Sequence, residues 1–318
     1  MNYFDIYVDS GANVPEQLAK QYNLKVISYT CTVNGEERKC YEEGVDFSKT
    51  AKKFYDDMRS GADVKTSLVA RETFIEALTP SLEAGRDVIL TTISSGISGS
   101  YNQAREAKTE LEKNFPANKV YVIDSANASM GEGLLAIKAA DLRALGESAL
   151  TCAKWLEENR YKMNSYLTVG DLKYLKRTGR ISATVALAGT LLNIKPILRA
   201  DGGLNAKITF CAKERGRKKA LAALAKVFAE RVENPENQKI AVMHGDSEED
   251  ALALCDMLKA YGAKDIVVGY YDLATGSHVG PGTVALFFMG KERRASSATE
   301  TEDVKGGVKK PCGAGVRL

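Results

Sequence analysis

Several residue types are scarce in this 318-residue chain, and each scarcity narrows the reading. There are two histidines, His244 and His278, and six cysteines, at 31, 40, 152, 211, 255 and 312, with no Cys-x-x-Cys pair. That set offers no recognisable zinc-ligand spacing. A chain of this length buries enough surface to fold without a disulfide staple. The scattered thiols therefore read as reduced cysteines of a cytoplasmic protein. Cys31 and Cys40 are close enough in sequence to meet across a hairpin at Asn34-Gly35, but the compartment argues against their pairing. No run of eighteen apolar residues is present, so no membrane-spanning segment is expected. The first five residues lack the basic and apolar regions of a signal peptide. An excess of charge is missing too. Forty-four Lys+Arg against 41 Asp+Glu leave +3, with no clustered basic face, and this predicts no nucleic-acid partner.

What remains is 44% apolar and 27% charged, the composition of a globular protein with room for two domains. Strands are predicted over 3–8, 24–32, 87–93 and 119–124. Helices are predicted from about Pro15 with Asn13 as cap, and over 46–58, 71–78, 101–113 and 131–144. This alternation predicts an α/β fold whose first part, residues 1–162, is a mostly parallel sheet with flanking helices. Residues 163–290 read as a second α/β domain with a mixed, partly antiparallel sheet. It has strands over 166–169, 194–199, 204–211, 239–244, 265–271 and 284–289, a basic helical segment ending at Gly179-Arg180, and helices over 183–192, 215–231 and 248–261. Asp201-Gly202-Gly203 is a hairpin signal. Residues 291–318, mixed in charge and poor in apolar groups, read as a weakly ordered tail.

The strongest chemical signal is Ser94-Ser95-Gly96-Ile97-Ser98-Gly99-Ser100, between a strand and a helix. A helix start beyond a parallel strand offers N–H groups and hydroxyls to a carboxylate or phosphate. The same serines serve equally well as plain helix caps, and the segment is neither a Walker loop nor a nucleophile elbow. Lys65-Thr66-Ser67 reads, by itself, as a cap between two helices. His278 lies among Gly276, Gly280 and Gly282, in what reads as a tight loop between strands. His244 reads as a strand-end histidine with a satisfied partner. Gly131-Glu132-Gly133 reads as a close helix-packing site. Arg180 follows a helix-ending glycine. Arg215 opens a basic helix start whose cations oppose the helix dipole, which points to an anion or partner nearby.

Taken in order, these segments resemble the DegV family of bacterial fatty-acid-binding proteins. The match runs from Asp9-Ser10 through Lys65-Thr66-Ser67, Ile93–Tyr101, Ile123-Asp124-Ser125, Gly179-Arg180-Ile181, Ile194–Leu198, Asp201-Gly202 and Arg215 with Lys218-Lys219-Ala220. It ends at His278-Val279-Gly280-Pro281-Gly282. Ser100 stands where the family usually has Thr, and Leu68 where it often has Gln. The resemblance implies two α/β domains holding a long-chain fatty acid, with no other cofactor. It places the ligand carboxylate at Thr66, Ser95 and His278, with Ser67 and Ser94 close by. It also implies a partner: a separate fatty acid kinase subunit that phosphorylates the presented carboxylate to an acyl phosphate, with Arg180 and Arg215 facing phosphate or kinase. On that reading the chain is a carrier, not itself an enzyme. Two other readings stay open on the residues alone. One is a serine esterase using Ser95 with His278. The other is a binder of a small phospho-ligand at the same helix start.

Overall fold

The computed structural model describes residues 4–181, 193–201 and 207–293. The predicted helix over 183–192, the Gly202-Gly203 turn and all of the predicted tail beyond residue 293 lie outside them. The first part runs β1 (Asp5–Asp9), α1 (Glu16–Gln21), β2 (Leu24–Ile27), β3 (Thr30–Val33), β4 (Glu36–Lys39), α2 (Ser48–Arg59) and β5 (Val64–Ser67). It continues with α3 (Arg71–Glu83), β6 (Val88–Thr92), α4 (Ser100–Asn114), β7 (Val120–Asp124), α5 (Met130–Ala144) and α6 (Ala149–Asn159). The rest runs β8 (Met163–Thr168), α7 (Lys173–Thr178), β9 (Ile194–Ala200), β10 (Ile208–Arg215), α8 (Arg217–Arg231) and β11 (Lys239–His244). It ends with α9 (Glu248–Lys259), β12 (Asp265–Tyr270), α10 (Leu273–Val279) and β13 (Val284–Met289).

The α/β expectation holds. Strands in the order β2-β1-β6-β7 form a parallel sheet, and β10-β9-β8-β13-β11-β12 form a mixed one in which only β11 and β12 run parallel. The central strands β1 and β6 are buried at every position, as expected for a sheet covered on both faces. Alternate side chains go to opposite faces. Ile6, Val8 and Ile89 meet α5 and α6, while Tyr7, Val88 and Leu90 meet Phe74, Leu78 and Leu111 of α3 and α4. The mixed sheet buries Tyr166, Val242, Leu286 and Phe288 under α8 and α9. Its other face, with Leu167, Met243, Ala285 and Phe287, joins the α5 cluster.

Helix α5 is thus packed between two sheets, and its composition shows it. Met130 to Ile137 are all buried, with no polar face. The spacing to its neighbours is set by glycine: a Cβ at Gly133 would stand 2.7 Å from Val14 Cγ2 and 3.2 Å from the Ala12 carbonyl. The packing role expected of Gly131-Glu132-Gly133 is what the structure shows.

Other expectations need correction. Residues 24–32 make two strands in different sheets, broken at Ser28-Tyr29. The small antiparallel sheet β4-β3-β5 that results was not foreseen. Asn13 does not cap α1. It sits in the left-handed region (φ 50°), closing the turn after β1, and Pro15 precedes the helix without a side-chain cap. Lys65-Thr66-Ser67 is strand β5, not a cap, because its backbone completes the sheet beside β3. His278 lies on α10, not in a loop, because the Asp272 side chain accepts the Thr275 N–H and starts a helix. Helix α6 was missed. Arg293, expected in the tail, is buried. Cys31 and Cys40, by contrast, are free thiols as expected, and both are buried.

Asp5, at the start of β1, illustrates the electrostatics of the frame. Its carboxylate is buried but accepts from Lys25 Nζ (2.8 Å), Ser81 Oγ (2.5 Å) and Arg86 Nε (2.9 Å). Burial pushes the carboxyl up, and these donors together outweigh it, holding it below the usual carboxylate range. A group depressed in the fold stabilises above its unfolded value, about 4, and that contribution fades as pH falls. Asp5→Asn should lower stability at pH 7 by roughly 2 kcal/mol. That is less than for a fully buried pair, since Lys25 and Arg86 are about a third exposed. Denaturant midpoints should show the gap to wild type closing below about pH 4.

Candidate functional site

In an open parallel sheet, ligands bind outside the carboxyl ends where successive connections leave in opposite directions. Here that point lies between β1, followed on one side by β2, and β6, followed on the other by β7. A cavity of about 250 Å³ opens there. The turn after β1 contributes Gly11, and the segment after β6 contributes Ile93, Ile97, Ser98 and Gly99. The end of β5 adds Thr66, Ser67 and then Leu68. Helix α10 adds Ala274, Thr275, His278 and Val279, and the mixed sheet closes the far wall with Leu167, Ile208, Ala285 and Phe287. Most of the wall is apolar.

The polar groups collect at one place. Thr66 Oγ1 and His278 Nε2 stand 3.0 Å apart, which bridges β5 and α10. Among the described residues, His278 Nδ1 is buried with no hydrogen-bond partner. Burial, with the charges of Arg180 and Arg177 adding to it, pushes the imidazole down to about 4, so it is neutral at pH 7. Tyr29 Oη lies 3.3 Å from Ser98 Oγ, which lies 3.0 Å from Ser100 Oγ, which in turn accepts the Val69 N–H. Helix α10 is locked by close contacts: Thr275 Oγ1 donates to Asn13 Oδ1 (2.6 Å), and Gly280 (φ 80°) leaves no room for a Cβ against the Tyr174 ring.

Thr66, Ser67, His278 and Arg180 therefore share one cavity wall. Ser94, Ser95 and Arg215 are not part of it. The Ser94 hydroxyl accepts the Gly96 N–H (3.1 Å), shaping the turn. Ser95 Oγ donates to Asp124 Oδ2 (2.5 Å), so Ser95 and His278 are engaged separately, one by Asp124 and one by Thr66. Arg180 donates to the Thr178 carbonyl beside it. Arg215 is exposed at the end of β10. Sequence reasoning missed Tyr29 and Asn127, which also line the cavity and whose only signal is tertiary. It also missed Ser98, which the serine-rich segment contained. His244 is buried against the Tyr270 ring (4.2 Å between centroids), and its Nδ1 accepts the Ser247 N–H, as expected of a partnered strand-end histidine. Among the described residues, no group of three or more His, Cys, Asp or Glu could hold a metal. None of their helices is long and apolar enough to cross a membrane.

The fold and the cavity define an α/β protein with a mainly apolar cavity that has polar groups at one end. The chain belongs to the DegV family: the model described as "Uncharacterised protein, DegV family" matches residues 3–291. A DegV domain-containing protein of Clostridium perfringens is 37% identical over 292 residues, 91% of this chain and 98% of its own. Among solved structures, a DegV family protein from Thermus thermophilus described by its fatty acid binding is 26% identical. It superposes with a TM-score of 0.79 over 91% of this chain and 99% of that one. DegV of Bacillus subtilis, described as a fatty acid binding protein, is 29% identical with a TM-score of 0.76, over 92% of this chain and all of that one.

The histidine provides a test that needs no ligand. A group whose native value is pushed below its unfolded one takes up a proton on unfolding between the two, so its contribution to stability falls as pH drops from about 6.5 to about 4. The buried carboxyls of Asp9 and Asp272, raised by burial to about 7 and about 6, act in the opposite direction, so a difference must be measured. His278→Gln should gain on wild type by roughly 3 kcal/mol between pH 7 and pH 4 in denaturant unfolding. A constant difference would show that His278 is not neutral in the fold.

Proposed function

We propose that this protein binds a long-chain fatty acid in the cavity and presents its carboxylate to a separate kinase subunit, which phosphorylates it to an acyl phosphate. The observation that carries the reading is one mainly apolar chamber with Thr66 and His278 joined at its wall, in a chain whose fold is shared with fatty-acid-binding relatives. Each buried CH₂ of an acyl chain contributes about 0.8 kcal/mol. The carboxylate enclosed with it needs donors, or its desolvation would cancel that gain. Thr66, Ser67 and His278 meet it at the cavity wall, while Ser94 and Ser95 shape the turn beside it, Ser95 reaching the carboxylate by exchanging its bond to Asp124. Arrival of the negative charge raises the His278 pKa, so binding draws in a proton and turns a neutral contact into a charge-assisted one. Arg180 and Arg215 face the incoming phosphoryl group or the kinase. In the same proposal the chain divides near residue 162 into two units with the ligand between them, and it works in the cytoplasm as a carrier with no other cofactor.

Protein purified from a bacterial host and extracted with organic solvent should release a long-chain fatty acid on mass spectrometry. Extracts without one, together with no binding of added fatty acid, would remove the reading. Ala285→Trp, filling the apolar wall, should weaken binding at least tenfold while leaving the fold intact by circular dichroism. Arg215→Glu, outside the cavity wall, should keep lipid binding and lose acyl phosphate formation with the cognate kinase, whereas Arg180→Glu, in the wall, should weaken both. Loss of lipid binding in Arg215→Glu would show that it contacts the ligand instead.

A further inference from the structure

Asp9 ends β1 and is wholly buried. Among the described residues no cation pairs with it. Its Oδ1 accepts the Gly11 N–H (2.9 Å), and its Oδ2 accepts the Ile93 N–H (2.9 Å) and the Tyr29 hydroxyl (3.4 Å). All three donors belong to residues that line the cavity. Gly11 lies so close that a Cβ there would stand 2.7 Å from Asp9 Oδ1 and 3.2 Å from Ile93 Cδ1. Through Tyr29 the carboxylate also reaches Ser98, another lining residue. One buried group thus holds the turn after β1, the segment after β6 and the residue just before β3 in fixed relation, directly behind the cavity.

We propose that Asp9 is a positioning residue for ligand binding: its carboxylate fixes Gly11, Ile93 and Tyr29 so that the chamber wall and the Ser98 hydroxyl are set before a fatty acid enters. The inference rests on the proposed fatty-acid reading for its functional consequence, and on hydrogen bonding for its structural one. The carboxylate is specific to the task. Asparagine has the same shape, but both Asp9 oxygens face N–H groups. Whichever way an amide is turned, its NH₂ meets a donor that cannot reverse.

The test compares Asp9→Asn with Asp5→Asn. Both remove a buried carboxylate from β1, but Asp5 lies at the far end of the strand, on Lys25, Ser81 and Arg86, away from the cavity wall. Two quantities are measured well below both unfolding transitions: the dissociation constant for a long-chain fatty acid, and amide hydrogen exchange at Gly11 and Ile93. Asp9→Asn should weaken binding at least tenfold and speed exchange at both amides, while Asp5→Asn stays within twofold of wild type on both. Equal binding in the two variants, or unchanged exchange in Asp9→Asn, overturns the proposal. Should Asp9→Asn fail to fold, Tyr29→Phe decides. It removes the hydroxyl that joins Asp9 to Ser98, leaves the Gly11 and Ile93 contacts in place, and should weaken binding about threefold; unchanged binding overturns the proposal. If wild type itself binds no fatty acid, the functional reading fails separately. The exchange comparison then stands alone: faster exchange confined to Gly11 and Ile93 supports the positioning role, and its absence overturns it.

Discussion

The short turn Asp9–Asn13, at the carboxyl end of β1, is the constraint from which the site is built. It is buried, so its polar groups must find partners inside the protein, and each partner comes from a different element. The Asp9 carboxylate takes the Ile93 N–H, Ser10 Oγ takes the Tyr29 N–H, and the Gly11 carbonyl takes the Ser129 N–H ahead of α5. Asn13 Oδ1 takes the Thr275 hydroxyl of α10. Satisfying one buried turn therefore brings together the segment after β6, strand β3, helix α5 and the helix that carries His278.

Helix α5 converts that local constraint into a whole-molecule one. Packed on the parallel sheet on one side and the mixed sheet on the other, it needs small residues on its first turns and cannot carry a polar stripe. The mixed-sheet face that meets α5 is the same face whose Leu167, Ala285 and Phe287 close the cavity. The chamber is thus an extension of the core, bounded where the side chains of the two sheets no longer meet.

The electrostatics of the region are those of an interior that stores little net charge. Burial holds His278 neutral and raises the Asp9, Asp272 and Glu132 carboxyls, so a ligand carboxylate would meet fixed dipoles and a neutral imidazole. Hydroxyls and N–H groups fixed by their own partners need little rearrangement to accept such a charge. Arg180, in the cavity wall, adds attraction for such a charge.

The sequence by itself determined the strand–helix alternation of the main elements, the parallel character of the first sheet, the mixed character of the second and the strand-to-helix turn at Ser94–Ser100. These follow from hydrophobic period, β-branched runs and cap residues, which act over a few neighbours. It also pointed to Thr66 and His278, though only by likeness to a family. Residue by residue, Thr66 read as a cap and His278 as part of a loop, because local pattern does not reveal a strand completed by β3 or a helix begun by Asp272. The tertiary structure alone decided that these two side chains meet across 212 positions of chain, that Ser95 is engaged by Asp124, and that Tyr29 reaches Asp9 and Ser98. The physical reason is the same in each case: a buried polar group is placed by whichever partner the packing brings within hydrogen-bond reach, and that partner is rarely its neighbour in sequence.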